Sequence, residues 1–183
     1  MRETDADELF TALDDERVWE SYFGGGPAAR PSDVAGMRAV VAGNLERATR
    51  GEHLPYTVRL AADDTVVGTT SLGDIDLTNE RIHLGWTAYG PSWWASAVNP
   101  ECKLLLLGHA FASGFGRVKL QTDNLNPRSQ AAIAKLGATR EGVLRRHVRR
   151  ADGTFRDSVV FSILADEWPT VRDNLRARVA KAR

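Results

Sequence analysis

IHLGWTAYGPSWWASAVNPECKLLLLGHAFASG (residues 82–114) and VKLQTDNLNPRSQAAIAKLG (residues 118–137) decide how this chain is read. Each begins as a strand, breaks, and restarts on the same dipeptide, Asn99-Pro100 in one and Asn126-Pro127 in the other. Asparagine caps the free N–H groups of a first turn and proline fits its first position, so both pairs predict helix starts. The first helix runs through Leu104, Leu107, Ala110 and Phe111 to Gly114, and the second through Ile133 and Leu136 to Gly137. Glycine just past the last turn is the usual helix stop. Two helix N-termini therefore open near the end of a sheet, each fed from a strand. Such termini suit anions, at roughly 0.3–1 kcal/mol per exposed charge contact. A phosphate-bearing ligand and two ordinarily capped helices are equally good accounts of that pattern.

Upstream, residues 5–22 place Leu9, Phe10, Leu13, Val18, Trp19 and Tyr22 at helical spacing. Gly24-Gly25-Gly26-Pro27 breaks the chain, and Ser32-Asp33 caps a second helix that runs to about Thr49 and closes at Gly51. Tyr56, Val58 and Leu60 then alternate with polar residues, Asp63-Asp64 turns the chain into Val66-Val67-Gly68, and Ile82 to Trp86 forms a third strand ending before Gly90-Pro91. The connections are too short for crossover helices, which makes these strands antiparallel. Downstream, residues 139–150 and 154–164 form a hairpin about Ala151-Asp152-Gly153, and Trp168, Val171, Leu175 and Val179 mark a closing helix.

Composition narrows the function classes. Of 183 residues 43% are apolar and 26% charged, the balance of a globular chain that forms a core without staples. Cys102 is the only cysteine, which excludes an internal disulfide and a thiolate zinc cluster; no metal is expected, and a reducing, cytoplasmic setting fits. MRETDADELF at residues 1–10 has no apolar run of a secretory signal, and no stretch approaches the ~20 apolar residues of a membrane span. Basic and acidic residues balance at 24 each, so nothing in the net charge draws the chain to nucleic acid. Arg145, Arg146, Arg149 and Arg150 surround His147, but strand alternation divides them between two faces, which favours a solvated hairpin over an RNA site.

Leu84-Gly85-Trp86, Gly90-Pro91-Ser92-Trp93 and Val98-Asn99-Pro100-Glu101-Cys102-Lys103 together resemble the cofactor-binding core of GNAT acetyltransferases, most of all the branch with the ribosomal-protein N-terminal acetyltransferases. Thr122-Asp123, Asn126, Ser129, Lys135-Leu136-Gly137-Ala138, Glu141-Gly142, Arg156-Asp157 and Glu167-Trp168-Pro169 extend the likeness, which covers roughly residues 56–170. The resemblance implies an α/β (α+β) fold: a mixed, mostly antiparallel twisted sheet, flanked by helices, with a splayed central strand pair. One domain of residues 1–183 is expected, with acceptor-side helices in 1–51, a cofactor-binding core in 56–138 and a C-terminal hairpin and helix in 139–183. Members of the family usually open with a strand, and residues 1–4 are too few for it, so that edge strand is expected to be missing.

The same resemblance implies that acetyl-CoA is the co-substrate and an amine, on a protein or a small molecule, the acceptor. Backbone groups at Trp86 and Thr87 would pair with the pantetheine arm, while Trp93, Trp94, Ala95, Ser96, Ala97, Val98 and Asn99 would cradle the pyrophosphate. Asn126 and Ser129 match positions that line the pantetheine. His83 stands where relatives often carry a carboxylate facing the acceptor, which makes it the candidate base; read alone, it is equally a strand histidine turned to solvent or bonded to a neighbour. The phosphate loop departs from the family pattern at Ala95, where a glycine is usual, so cofactor binding is weakened there or the loop takes a right-handed turn. A homodimer is compatible with this branch. The competing expectation is a GNAT-fold module that binds acyl-CoA without turnover.

Overall fold

The computed structural model describes residues 1–182. Helices α1 (Ala6–Leu13), α2 (Glu16–Glu20) and α3 (Val34–Thr49) precede strands β1 (His53–Arg59), β2 (Val66–Asp76) and β3 (Arg81–Tyr89). Helix α4 (Val98–Ala112), strand β4 (Arg117–Asp123) and helix α5 (Pro127–Ala134) follow. The hairpin β5 (Thr139–Arg149) and β6 (Phe155–Leu164) leads to α6 (Trp168–Lys181). The six strands form one sheet in the order β1-β2-β3-β4-β6-β5.

Every neighbouring pair is antiparallel except β3 and β4, which run parallel over Arg81↔Arg117, Ile82↔Val118 and His83↔Lys119. Beyond His83 the two strands part, leaving the β3 edge from Leu84 onward without a partner on β4. That parting is the splay expected from the sequence. No strand precedes His53 among the described residues, and β1 forms the edge, as expected.

The sheet carries a separate core on each face. Leu72, Ile82, Leu84, Leu120 and Phe161 pack against Leu107 of α4, Ile133 of α5 and Leu175 of α6. On the other face Val66 and Ala88 meet Leu9, Leu13, Val18, Trp19, Met37 and Val41 of the first three helices. Each fully buried aliphatic side chain contributes about 1.5–3 kcal/mol relative to exposure.

Three local expectations are corrected. The helix read over residues 5–22 is two short ones, because Asp15 leaves helical geometry and its carboxylate accepts from Arg17 N at 3.0 Å, capping α2. Asn99 is not a cap: α4 begins at Val98, and the Ser96 hydroxyl meets Val98 N at 3.2 Å instead. Pro100 is still accommodated, since first-turn N–H groups have no partner inside the helix. Strand β3 also continues past Trp86 to Tyr89, through a bulge that the alternation does not reveal.

Candidate active site

The bulge sits where β3 leaves β4. Thr69 pairs with Ala88 and Ser71 with Gly85, so two steps on β2 oppose three on β3, and Trp86 takes a left-handed φ of 49°. A non-glycine residue held there costs about 1–3 kcal/mol and persists only where surroundings enforce it. Here the Trp86 ring lies edge-on to His53 at 4.7 Å, against His83 at 4.5 Å, and under the Arg47 guanidinium at 5.5 Å. Gly73 makes room for it, since a Cβ there would stand 2.9 Å from the indole. The extra residue also changes facing: Leu84 points to the α4–α6 core, whereas Trp86 turns toward α1 and α3. Bulges commonly re-aim side chains in this way beside active sites.

Thr87, next along β3, faces the other side. Its hydroxyl bonds the Thr70 hydroxyl at 2.8 Å and accepts from Lys103 Nζ at 2.9 Å. Lys103 is only 5% exposed and forms no carboxylate pair among the described residues. Burial pushes its pKa down to about 8.

His83 is 3% exposed, so the solvent-facing alternative fails. Its Nδ1 lies 3.3 Å from Asp74 Oδ2, off the line of a good hydrogen bond, and neither ring nitrogen has a hydrogen-bond partner. Gly85 leaves space for the ring, because a Cβ there would come within 2.6 Å of Nε2. Burial holds its pKa below the ordinary imidazole value, with Asp74 opposing that shift. The ring is therefore neutral at pH 7 and able to accept a proton. The His83 ring and the Lys119 ammonium, 2.7 Å from Asp74 Oδ2, keep the Asp74 carboxyl well below the usual carboxylate range.

The loop after β3 keeps the geometry of the missing glycine. Ala95 has φ 61°, left-handed, so the expected right-handed turn does not form. Trp93, Trp94, Ser96 and Ala97 surround it. Ser96 Oγ donates to Trp93 O at 2.6 Å, and Trp94 Nε1 donates to Tyr89 O at 2.8 Å. Arg128, from the first turn of α5, stacks on the Trp94 ring at 3.5 Å, and Arg17 approaches the same ring at 5.8 Å. Arg128 has no carboxylate partner among the described residues, so its charge is met only by the Trp94 ring between the loop and the N-terminus of α5.

Asn126 caps α5 as expected, accepting from Ser129 N at 2.8 Å, and its amide also donates to Ser21 O on the α2 side. Just before it, Asp123 accepts from Leu125 N at 3.0 Å and pairs with Arg150 at 2.8 and 2.9 Å, both side chains being buried. Arg150 thus braces this corner, while Arg146 lies over the Phe155 ring and Asp157 accepts from Arg146 N at 2.7 Å. Arg146 and Arg150 serve different neighbours, Phe155 and Asp123.

His83 lies at the last rung shared with β4, and Trp86 and Thr87 follow it along the unpaired β3 edge on opposite faces; the Arg128–Trp94 stack joins the loop after β3 to the first turn of α5 beside Asn126 and Ser129. Sequence reasoning missed Asp74 and the roles of Lys103 and Arg128. Strand pairing brings Asp74 to His83, and a lysine in the motif or an arginine after Asn-Pro carries no separate signal. An unpaired β3 edge, two helix N-termini and the Arg128 guanidinium suit an elongated ligand with a peptide-like arm and phosphates at one end. The described residues hold no group of three or more His, Cys, Asp or Glu side chains able to bind a metal ion, and no helix long and apolar enough to cross a membrane.

Comparison with known proteins agrees with this geometry. Residues 1–139 match the family model described as the acetyltransferase (GNAT) domain. A protein of T. thermophilus assigned as an acetyltransferase is similar at 35% identity and TM-score 0.83, over 97% of this chain and 90% of that one. A GCN5-related N-acetyltransferase from Brucella melitensis is similar at 27% identity and TM-score 0.82, over 95% and 77%. Mycobacterium smegmatis RimJ, solved with CoA-disulfide, shares the fold at 24% identity and TM-score 0.78, over 100% and 87%. No curated protein matches the sequence at a significant level.

Proposed function

The chain belongs to the GNAT acetyltransferase family and is an N-acetyltransferase with acetyl-CoA as co-substrate; we propose that it passes the acetyl group directly to a primary amine held with acetyl-CoA in one ternary complex. The observation that carries this reading is the left-handed bulge at Trp86, set where β3 parts from β4. Trp86 and Thr87 are skipped in the β2 register, which supports their N–H groups as the donors to charge developing on a carbonyl oxygen. The free β3 edge takes the pantetheine arm. The Ala95 loop, the first turns of α4 and α5, and Arg128 take the phosphates.

The amine approaches from the α1–α3 face, where Trp86 turns. A C–N bond forms as the C–S bond breaks, one proton leaves the amine, and one goes to the departing sulfur. Neutral His83 is the base for the first of these, directly or through a water, and Asp74, whose Oδ2 lies 3.3 Å from Nδ1, is the carboxylate beside it. Ala95 adopts the glycine-like conformation, which weakens one of the two arguments for a module without turnover; the other is the missing first strand. A cytoplasmic location and a homodimer remain part of this reading, resting on the single cysteine and on the branch.

Isothermal titration with acetyl-CoA, against desulfo-CoA and adenosine diphosphate, tests the cofactor half of the proposal. Saturable binding is expected; no heat up to millimolar ligand would sink it. His83→Ala is expected to cut turnover by about 10²–10⁴. A loss under about threefold with an unchanged pH profile removes His83 from the mechanism.

A further inference from the structure

A cavity of about 200 Å3 lies on the α1–α3 side of the sheet, with the Trp86 ring in its wall. Leu9 and Leu13 of α1, Trp19 of α2, and Met37 and Val41 of α3 supply most of the remaining surface. Polar contact is confined to Asn44, Thr69 and Ser71, and the Thr69 hydroxyl already donates to Tyr56 O at 3.0 Å. No Asp, Glu, Lys, Arg or His side chain lines the space, and the Met1 amine at its border donates to Pro55 O at 3.2 Å. The histidine and aspartate groups beside Trp86 (His53, His83 and Asp74) lie outside this lining.

We propose that the acceptor is a primary amine whose neighbouring group is uncharged and apolar, with that group seated in this cavity and the amine directed past Trp86. The inference rests on the acetyl-CoA-dependent reading above and adds the class of acceptor. Size supports it: an apolar cavity of about 150 Å3 accepts benzene, so this one holds a ring with a short linker, or a branched alkyl group. Charge supports it as well. A second ammonium or a guanidinium on the acceptor would enter a space with no carboxylate to pair it, and an unpaired buried cation is strongly disfavoured. Trp86 connects body and chemistry, since its ring walls the cavity and its backbone forms the bulge at the strand parting. In the reaction the acceptor nitrogen gains the acetyl carbon, loses one proton to the base, and the CoA sulfur leaves with a proton.

The test is transfer from acetyl-CoA, read as CoA thiol release, with 2-phenylethylamine, ethylamine, putrescine and two short peptides beginning with Phe or with Asp. The apolar amine, or the Phe peptide if the source is a chain terminus, is expected to exceed putrescine and the Asp peptide in kcat/KM by at least about 100-fold, which corresponds to about 3 kcal/mol. Val41→Phe, which fills the cavity, is expected to lower kcat/KM for 2-phenylethylamine at least about 10-fold more than for ethylamine, a contrast of about 1.4 kcal/mol. Val40 is 43% exposed and also lines the cavity, so Val40→Glu folds even if Val41→Phe does not. It is expected to raise putrescine relative to 2-phenylethylamine. Preference for a charged acceptor, or transfer to no apolar amine despite acetyl-CoA binding by calorimetry, overturns the proposal and leaves the family activity standing. Absence of acetyl-CoA binding would instead bring down the reading beneath it.

Discussion

Replacing Lys103 by methionine removes a cation that the fold holds at a loss. In water its amine titrates at 10.5; in the folded chain burial brings that down to about 8, with Cys102 acting weakly in the opposite direction. The difference is worth roughly 3 kcal/mol. Between about pH 8 and 10.5 the unfolded chain binds the proton that the folded chain has released, so stability rises with pH across that window. The penalty is complete below about pH 8 and gone above about 10.5. Methionine nearly matches the lysine stem in length, and Thr87 keeps its bond to Thr70 at 2.8 Å. After subtracting about 1 kcal/mol for the lost Nζ–Thr87 bond, Lys103→Met is expected to gain about 1–3 kcal/mol at pH 7. That corresponds to roughly 2–10 °C in Tm for a chain of this length. Urea unfolding of both proteins at about pH 7 and about pH 10 measures it, and the gap between them should narrow at the higher pH. A variant less stable than the parent at neutral pH, or a gap that ignores pH, refutes the reasoning.

Arg128→Met is expected to leave Tm nearly unchanged, weaken acetyl-CoA binding by about tenfold, and flatten its salt dependence, because the guanidinium is free of carboxylates and its attraction to phosphate is screened; titration at two ionic strengths reads all but the first. Ala95→Gly relieves a left-handed alanine worth about 1–2 kcal/mol while adding about 0.5–1 kcal/mol of unfolded-chain entropy. A Tm equal to or up to about 6 °C above the parent is therefore expected, and a fall would show the loop is not strained. His53, wholly buried with no hydrogen-bond partner at either ring nitrogen, has its pKa brought down to about 4 by burial and by Arg47. A depressed histidine costs stability as pH falls from 6.5 toward 4, so acid unfolding followed by circular dichroism should shift to lower pH in His53→Leu.

Punctuation is the most legible part of the sequence. Asn126-Pro127, Gly137 and the Ala151-Asp152-Gly153 turn act within a few residues, and the fold places each where local chemistry predicts. Trp86 and Ala95 are legible as candidate site residues, but their left-handed geometry is hidden. No local preference puts tryptophan or alanine there; packing against His53, His83 and Arg47 enforces one, and the Trp94–Arg128 stack borders the other. Asp74 reaches His83 only through strand register, and the sequence between them shows no shared pattern. Asn99 fails as a cap because Ser96, one turn earlier, already meets the first turn. The cavity walls come from three helices whose apolar spacing is visible in the sequence and whose mutual placement is not.

The two halves of the sheet share only the rungs Arg81↔Arg117, Ile82↔Val118 and His83↔Lys119, reinforced where Glu80 O accepts from Gly116 N at 2.8 Å and Arg117 N at 3.1 Å. Mechanically the sheet is a book with a short spine. Its leaves, β1-β2-β3 and β4-β6-β5, are otherwise held by their shared core under α4–α6, by Lys119–Asp74 and, across the opening, by Arg128–Trp94 and Asn126–Ser21, so the open end lacks only main-chain rungs. A ligand lying between Leu84–Tyr89 and the far end of β4 would therefore act as a binding thread, contributing about 2.7 kcal/mol at a concentration about 100 times its Kd. Amide protons of the outer halves of β3 and β4 should slow in exchange when that thread is in place, while those at Arg81–His83 change least.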